Sequence, residues 1–157
     1  MRKPGPRHSM GRRRDPDHMP TSPLIFKSRH RVTFSELDPY NHVRTEVYSG
    51  YYIDHRLNCL RDYIGWDLKT LGELPFMLWV RRLEIDFVKP ARGDAELTIA
   101  SFVREFQGSN AFIECRMVDE AEQEISRCLM IVACVDKRTN RSMDWPEDAR
   151  ALFYQDR

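Results

Sequence analysis

The sequence contains few glycines and few cysteines. Its 157 residues include only 7 glycines and 4 cysteines. The cysteines form no C-x-x-C pair and have no histidine at metal-ligand spacing, which argues against both a zinc site and a disulfide framework. We therefore expect no metal ion, and we expect four reduced thiols that pack as small apolar residues. These thiols are Cys59, Cys115, Cys128 and Cys134.

Long apolar runs are also missing. The longest, Leu129 to Val135, is far shorter than the roughly 20 residues that a membrane span needs. No apolar stretch follows the basic N-terminus, so a signal peptide is not predicted. Together with the unpaired cysteines, these absences predict a soluble protein of the reducing cytoplasm.

The chain has no excess of charge of one sign. It carries 25 Lys and Arg residues against 24 Asp and Glu residues, a formal net charge of +1. Such a balance gives no strong field that would attract nucleic acid or an anionic membrane, so neither is expected as a partner. The basic residues are concentrated at the N-terminus, since residues 1–19 contain six of them and only two acids.

The first 23 residues differ in composition from the rest of the chain. They hold five of the nine prolines and very few apolar residues. Because such a segment cannot bury enough apolar surface to offset its ordering entropy, we expect residues 1–23 to form a disordered basic tail. The length that remains suits one domain, which is predicted over residues 24–157.

Within that domain the apolar spacing predicts one strand and then a long helix. Residues 24–34 are rich in β-branched and aromatic residues, as is typical of a strand. From about Thr45 the spacing becomes helical, and Gly65 stands where a glycine ends a helix. Apolar residues on two faces imply a helix that is covered on several sides. Gly50 lies inside it, so we expect another backbone to approach closely there.

After the helix the apolar period changes to two, which predicts four strands in succession. They include residues 83–87, 97–103, 109–118 and 124–136, and a short helix from Pro146 follows. Strands joined by short connections favour an antiparallel meander, with the helix packed on its concave face. The predicted fold class is therefore α+β.

Polar residues that can do chemistry are concentrated just before the long helix. Glu36, Asp38, Asn41, His42 and Tyr48 all lie between Phe34 and Arg56. A helix start offers free backbone N–H groups and a partial positive charge, which suit a developing oxyanion. A carboxylate beside it can act as a nucleophile or as a base toward water. Asp38 is also a residue type that is common in turns and helix caps, so the residues alone leave both a structural and a catalytic role open.

This segment resembles the signature of 4-hydroxybenzoyl-CoA thioesterase-type enzymes, which is similar to F-x-[DE]-x-D-x-x-G-H-V-N-N-x-x-Y. Six residues are in register, and the later segment Pro90 to Leu97 is similar to the family's P-x-x-x-G-D-x-L turn. The six are Phe34, Glu36, Asp38, His42, Val43 and Tyr48.

The resemblance implies a hot-dog fold, in which an antiparallel sheet of about five strands wraps a central helix. It also implies hydrolysis of an acyl-CoA thioester without a cofactor, by a homodimer or homotetramer with active sites at the subunit interface. Asp38 matches the catalytic carboxylate, and the backbone N–H near Thr45 matches the group that polarises the thioester carbonyl. His42 is implied to position the loop or the substrate, and Asn41 and Tyr48 to contact the substrate.

The sequence also departs from the signature. Asn41 replaces the usual glycine, and Arg44-Thr45 replaces the usual Asn-Asn. Asparagine is the best non-glycine residue for a left-handed conformation, and threonine is an acceptable N-cap. We therefore expect the loop to keep its shape.

Three other functions remain open. The first is a catalytically silent hot-dog protein that binds acyl-CoA or serves as a structural dimer. The second is an enoyl-CoA hydratase, whose signature resembles D-x-N-P-x-H, but Asn41 and His42 follow Asp38 at other spacings. The third is nucleic-acid binding through the basic tail.

Overall fold

The computed structural model describes residues 22–155, so most of the predicted tail lies outside the described residues. The last two residues of the predicted tail, Ser22–Pro23, form a short strand β1 that pairs antiparallel with β8 (Tyr154–Gln155). The described domain therefore includes two residues that composition had assigned to the tail.

A curled antiparallel sheet forms the body of the molecule. Its strands follow the order β2-β4-β5-β6-β3, and the two-residue β7 (Arg141–Ser142) pairs with β6. The five long strands are β2 (Phe26–Arg31), β3 (Phe76–Phe87), β4 (Glu96–Gln107), β5 (Asn110–Val118) and β6 (Glu124–Asp136). With one long helix against it, this sheet is the predicted hot-dog fold.

The predicted meander of four successive strands is wrong in one respect. Strands β4, β5 and β6 follow one another as expected, but β3 pairs with β6 and not with β4. The connection 88–95 is occupied by other backbone partners, since the N–H of Val43 donates to the carbonyl of Ala91 at 2.8 Å and the N–H of Val88 to that of Ile125 at 2.9 Å. It therefore crosses from one side of the sheet to the other instead of closing a hairpin.

The long helix α1 (Val47–Cys59) continues as a π-helical turn (Leu60–Ile64) and ends at Gly65, which has a φ of 82°. The predicted end of the helix is confirmed. One side of α1 packs against the sheet, and the residues buried there are Tyr48, Tyr51, Tyr52, His55 and Cys59.

Gly50 lies on the opposite, exposed side of α1, and among residues 22–155 the prediction of a close backbone neighbour is wrong. A Cβ atom added at Gly50 would meet no atom from elsewhere in that part of the chain within 4 Å. A 3₁₀-helical turn (Phe34–Glu36) and two short α-helices complete the domain. The first, α2 (Leu68–Glu73), was not predicted, whereas α3 (Glu147–Ala151) follows Pro146 as expected.

The core is apolar apart from a few polar side chains, of which His55 is the largest. His55 is 2% exposed, and its two ring nitrogens contact Ser28 Oγ at 2.6 Å and Ser101 Oγ at 2.8 Å. Burial lowers the pKa of His55 to about 4, so the ring is neutral near pH 7. All four cysteines are free and buried, as predicted.

Among residues 22–155, no helix is long and apolar enough to cross a membrane.

Candidate active site

The segment between β2 and α1 folds into a small hairpin loop over residues 37–43. Leu37 and Val43 form an isolated antiparallel bridge, and the N–H of Asp38 donates to the carbonyl of His42 at 2.8 Å. The N–H of Asn41 donates to the carbonyl of Asp38 at 3.2 Å and closes the turn. Asn41 has a φ of 60°, the left-handed conformation that the sequence led us to expect at this position.

The carboxylate of Asp38 has two different oxygens. Oδ1 accepts hydrogen bonds from the N–H of Tyr40 at 2.8 Å and from the N–H of His42 at 3.0 Å. The bond from His42 is the main reason why the pKa of Asp38 lies below its ordinary value. Within residues 22–155, Oδ2 has no hydrogen-bond partner. Asp38 is thus an ionised carboxylate with one oxygen fixed in the loop and one oxygen available.

The same turn occurs a second time, between β5 and β6. There Asp119 Oδ1 accepts from the N–H groups of Ala121 and Gln123, each at 2.9 Å. The N–H of Asp119 donates to the carbonyl of Gln123, and Glu122 has a φ of 59°. The hydrogen bonds of this turn therefore suffice by themselves to explain an aspartate at this position. What distinguishes Asp38 is its place at the approach to α1.

The start of α1 differs from the sequence prediction. Glu46, and not Thr45, is the residue before the first helical position, and no side chain caps the helix. The prediction of Thr45 as N-cap is therefore wrong, because the chain already turns at Arg44, whose carbonyl accepts from the N–H of Val47 at 3.0 Å. No acceptor for the N–H of Thr45 is found in the part of the chain that is described. This leaves a free donor at the positive end of the helix.

Residues 91–93 contact the 37–43 loop and hold it in place. The side-chain oxygen Oδ1 of Asn41 accepts from the N–H of Gly93 at 3.2 Å, and His42 forms an isolated bridge with Arg92. The side chain of His42 is half-buried and makes no hydrogen bond within residues 22–155. Asn41 therefore contacts this segment through its side chain and His42 through its backbone, and their predicted contacts with substrate stay predictions.

Tyr48 is buried beneath the loop, and its predicted contact with substrate stays a prediction. It is 3% exposed, its ring packs edge-on against Phe87, and its hydroxyl accepts from the N–H of Ala91 at 3.2 Å. These contacts brace the crossing segment against α1. The structure brings Asp38, Asn41 and His42 together in one loop, and it places Tyr48 in the core beneath that loop.

A half-buried carboxylate in the same segment, Glu36, has partners that sequence reasoning missed. Glu36 accepts from the hydroxyl of Tyr51 at 2.7 Å, from the N–H of Thr33 at 2.8 Å and from His30 Nε2 at 3.0 Å. Burial opposes its ionisation, but these hydrogen bonds outweigh burial and lower the pKa of Glu36. Tyr51 stands three residues after Tyr48 on the same face of α1, and that spacing was the available signal.

Gly93→Ala is expected to disturb the loop without unfolding the domain. An added Cβ would lie 2.8 Å from Asn41 Oδ1 and 3.0 Å from Leu37 Cδ1. The hydrogen bond between Gly93 and Asn41 would be lost, which costs about 1 kcal/mol. Thermal unfolding should show this modest loss, and the thioester hydrolysis that the sequence resemblance implies should fall severalfold.

Gly50→Ala is the matched control for that substitution. Since no other part of residues 22–155 lies within 4 Å of its added Cβ, we expect it to stabilise α1 by about 1 kcal/mol and to leave the implied hydrolysis unchanged. Equal turnover in the two variants would contradict a role for residue 93 in holding the site.

Comparisons with known proteins agree with this architecture. A family model described as the thioesterase-like superfamily matches residues 32–153, and no curated protein matches the sequence. The protein SAV2348 from Staphylococcus aureus, solved in complex with CoA, has a TM-score of 0.75 at 16% identity, covering 83% of this chain and 82% of its own.

Two other solved structures are similar to the same extent. The 1,4-dihydroxy-2-naphthoyl-CoA thioesterase Slr0204 from Synechocystis has a TM-score of 0.74 at 14% identity, covering 83% of this chain and 96% of its own. The probable thioesterase YbaW from Escherichia coli has a TM-score of 0.72 at 20% identity, covering 81% of this chain and 95% of its own. At these identities the structural likeness shows the fold alone.

Proposed function

Because this chain belongs to the thioesterase-like superfamily, we propose that it hydrolyses an acyl-CoA thioester to a free acid and coenzyme A. The observation that carries the proposal is the carboxylate of Asp38, in which only one oxygen is hydrogen-bonded. Oδ1 is fixed by two backbone N–H groups, and Oδ2 is available within residues 22–155. It lies in the loop that leads to an uncapped helix start. A fixed nucleophile or base and a free helix-terminal donor are the two groups that thioester hydrolysis requires.

Two chemical routes use these groups. In the first, Asp38 Oδ2 attacks the thioester carbonyl, the C–S bond breaks, the CoA thiolate leaves with the electron pair, and water then hydrolyses the acyl anhydride. In the second, Oδ2 removes a proton from water, whose oxygen attacks the carbonyl, and the departing thiolate takes up a proton. In both routes the N–H of Thr45 stabilises the negative oxygen of the tetrahedral intermediate.

Several finer assignments belong to the same proposal. The enzyme is of the 4-hydroxybenzoyl-CoA thioesterase type. Asn41 and His42 keep the loop and the substrate in position. Tyr48, which lies beneath the loop, supports the acyl group. It acts in the cytoplasm, as four free cysteines suggest. It requires no cofactor, because the carboxylate and the N–H group supply both chemical roles.

The direct test is a panel of acyl-CoA esters, from short aliphatic to aryl and long-chain, with release of free CoA thiol measured for each. We expect saturable hydrolysis of at least one class above the rate without protein. Absence of thiol release across the whole panel would refute the proposed function.

The duplicated turn favours one alternative, a silent protein that binds acyl-CoA. Asp119 shows that this fold contains the same aspartate turn at a second place, away from the start of α1. A silent binder would be stabilised against thermal unfolding by an acyl-CoA that it fails to hydrolyse. Thermal shift and thiol release on the same esters therefore separate the two functions.

We also propose that the chain forms a symmetric dimer through the edge strand β3. This strand spans 12 residues, pairs only with β6 among the described strands, and carries Trp79 and Phe87 at 60% and 52% exposure. A long unpaired edge is a surface that proteins cover or pair. Sedimentation at micromolar concentration should give a species of twice the 18.7 kDa chain mass, or of four times that mass if dimers pair into a tetramer. A monomer alone would contradict this assembly.

A further inference from the structure

Glu36 connects three parts of the structure at the base of the candidate active-site loop. Its side chain accepts from the hydroxyl of Tyr51 on α1 at 2.7 Å and from His30 Nε2 on β2 at 3.0 Å. Its backbone carbonyl accepts from the N–H of Arg44 at 2.9 Å, where the loop ends. One residue therefore joins α1 and β2 to both ends of the loop.

The direction of the free Thr45 N–H follows from the bonds of Arg44. Both backbone groups of Arg44 are engaged, since its N–H donates to Glu36 and its carbonyl accepts from the N–H of Val47 at 3.0 Å. The carbonyl of Arg44 and the N–H of Thr45 belong to one planar trans peptide, so they point in opposite directions. Because the carbonyl is directed into α1, the N–H of Thr45 is directed out of the helix start.

Asp38 is held by the same hairpin. It stands two positions after Glu36, and the bridge between Leu37 and Val43 joins the two arms of the hairpin. The carboxylate of Asp38 follows one arm, and the N–H of Thr45 follows the other. The separation of these two groups therefore depends on where the base of the hairpin, at Glu36, lies relative to α1.

The carboxylate of Glu36 is fixed by several contacts at once. Its side chain is 19% exposed, whereas that of Glu46, beside the start of α1, is 72% exposed. Oε2 accepts from the N–H of Thr33 at 2.8 Å as well as from the hydroxyl of Tyr51. Hydrogen bonds to an ionised acceptor are stronger than those between neutral groups. We therefore expect this side chain to hold a single position.

We propose that Glu36 is a positioning residue, which sets the distance between the Asp38 carboxylate and the Thr45 N–H. It does so through its contact with the Tyr51 hydroxyl, and it does not itself touch the thioester. The inference rests on the proposed function, which assigns the chemistry to those two groups. Displacement of a reacting group by about 1 Å can cost about 10²-fold in rate. Loss of the contact should therefore lower kcat and leave KM unchanged.

The test compares Tyr51→Phe with Tyr52→Phe. The two tyrosines are neighbours on α1, and both are buried. Each hydroxyl donates one hydrogen bond, from Tyr51 to Glu36 at 2.7 Å and from Tyr52 to Ser126 Oγ at 2.8 Å. Both variants should be slightly less stable in thermal unfolding. Only Tyr51→Phe should lower kcat, by about two- to tenfold, the range that one hydrogen bond represents.

Two substitutions of Glu36 separate its contacts from its charge. Glu36→Gln keeps an oxygen that can accept from both Tyr51 and Thr33, as Oε2 does, so it should retain most of kcat. Glu36→Ala removes every contact of the carboxylate and should lower kcat by about 10²-fold. A Glu36→Gln variant as slow as Glu36→Ala would show that the charge is required, and a positioning role would be overturned.

The kinetic comparison of the two tyrosine variants has two further outcomes that overturn the inference. One is equal kcat in Tyr51→Phe and Tyr52→Phe. The other is a rise in KM without a fall in kcat, which would assign Tyr51 to binding. Because Tyr51→Phe leaves the main chain of Glu36 intact, this comparison does not depend on whether Glu36→Ala folds.

Amide hydrogen exchange, measured by NMR, separates this inference from the proposed function. The N–H of Arg44 donates to Glu36, so it should exchange faster in Tyr51→Phe and at the wild-type rate in Tyr52→Phe. If no acyl-CoA is hydrolysed, the proposed function fails, and exchange at Arg44 alone decides whether Glu36 fixes the hairpin. Hydrolysis with equal kcat in the two variants overturns the positioning role and leaves the thioesterase proposal intact.

Discussion

Asp38→Asn is expected to reduce thioester turnover by about 10²- to 10⁴-fold while folding and ligand binding stay nearly unchanged. The asparagine keeps a side-chain oxygen that can accept from the N–H groups of Tyr40 and His42, as Asp38 Oδ1 does. It replaces the free Oδ2 with an amide nitrogen, which is neither a nucleophile nor a base. The substitution therefore removes the proposed chemistry and spares the turn.

The second aspartate turn provides a matched control. Asp119→Asn makes the same chemical change in a turn with the same hydrogen bonds, and we expect it to leave kcat unchanged. His42→Ala should lower turnover only modestly, because the loop contacts of His42 come from its backbone. Thiol release, thermal unfolding and acyl-CoA binding would be measured for all three variants. Turnover at the wild-type rate in folded Asp38→Asn would eliminate both proposed routes.

Acidification is expected to destabilise the protein through His55. Its pKa is about 4 in the folded chain against an ordinary value of 6.5, so the unfolded chain binds the proton more readily between these values. The contribution of His55 to stability is complete above pH 6.5 and is lost as the pH falls toward 4. The difference corresponds to about 3 kcal/mol of unfolding free energy.

The measurement is denaturant unfolding of wild type and His55→Gln above pH 6.5 and near pH 4. Carboxylates change the stability of both proteins alike, so the quantity of interest is the difference between the two pH dependences. We expect His55→Gln to be less stable near neutral pH, because its contacts with Ser28 and Ser101 are altered, but to lose less stability on acidification. Parallel pH dependences would show that His55 is not neutral in the fold.

The parts of the fold that sequence predicted correctly are those fixed by neighbouring residues. The helical spacing before Gly65, the end of α1 at Gly65 and the left-handed Asn41 each depend on local backbone preferences, and all three are found in the structure. The partner of β3 depends on where the connection 88–95 leads, and local pattern carries no such information. A four-strand meander was therefore predicted where a crossover exists.

The same distinction applies to the candidate site. The motif located Asp38 and its loop, but not the helix start, because Thr45 resembles an N-cap while the chain already turns at Arg44. Glu36 was found in register with the motif, whereas its partners His30 and Tyr51 come from a strand and a helix whose packing the motif does not encode.

The crossing segment has a consequence for the order of folding. The hairpins of β4, β5 and β6 join residues close in sequence, whereas the contact of His42 with Arg92 and that of Asn41 with Gly93 close a loop of about 50 residues. Such closure costs entropy before it gains contacts, and long-range contacts slow folding. We expect the three-strand unit to form early and the Asp38 loop to reach its final shape late, when β3 has docked on β6. A chain caught before that step would have most of its sheet but no working site.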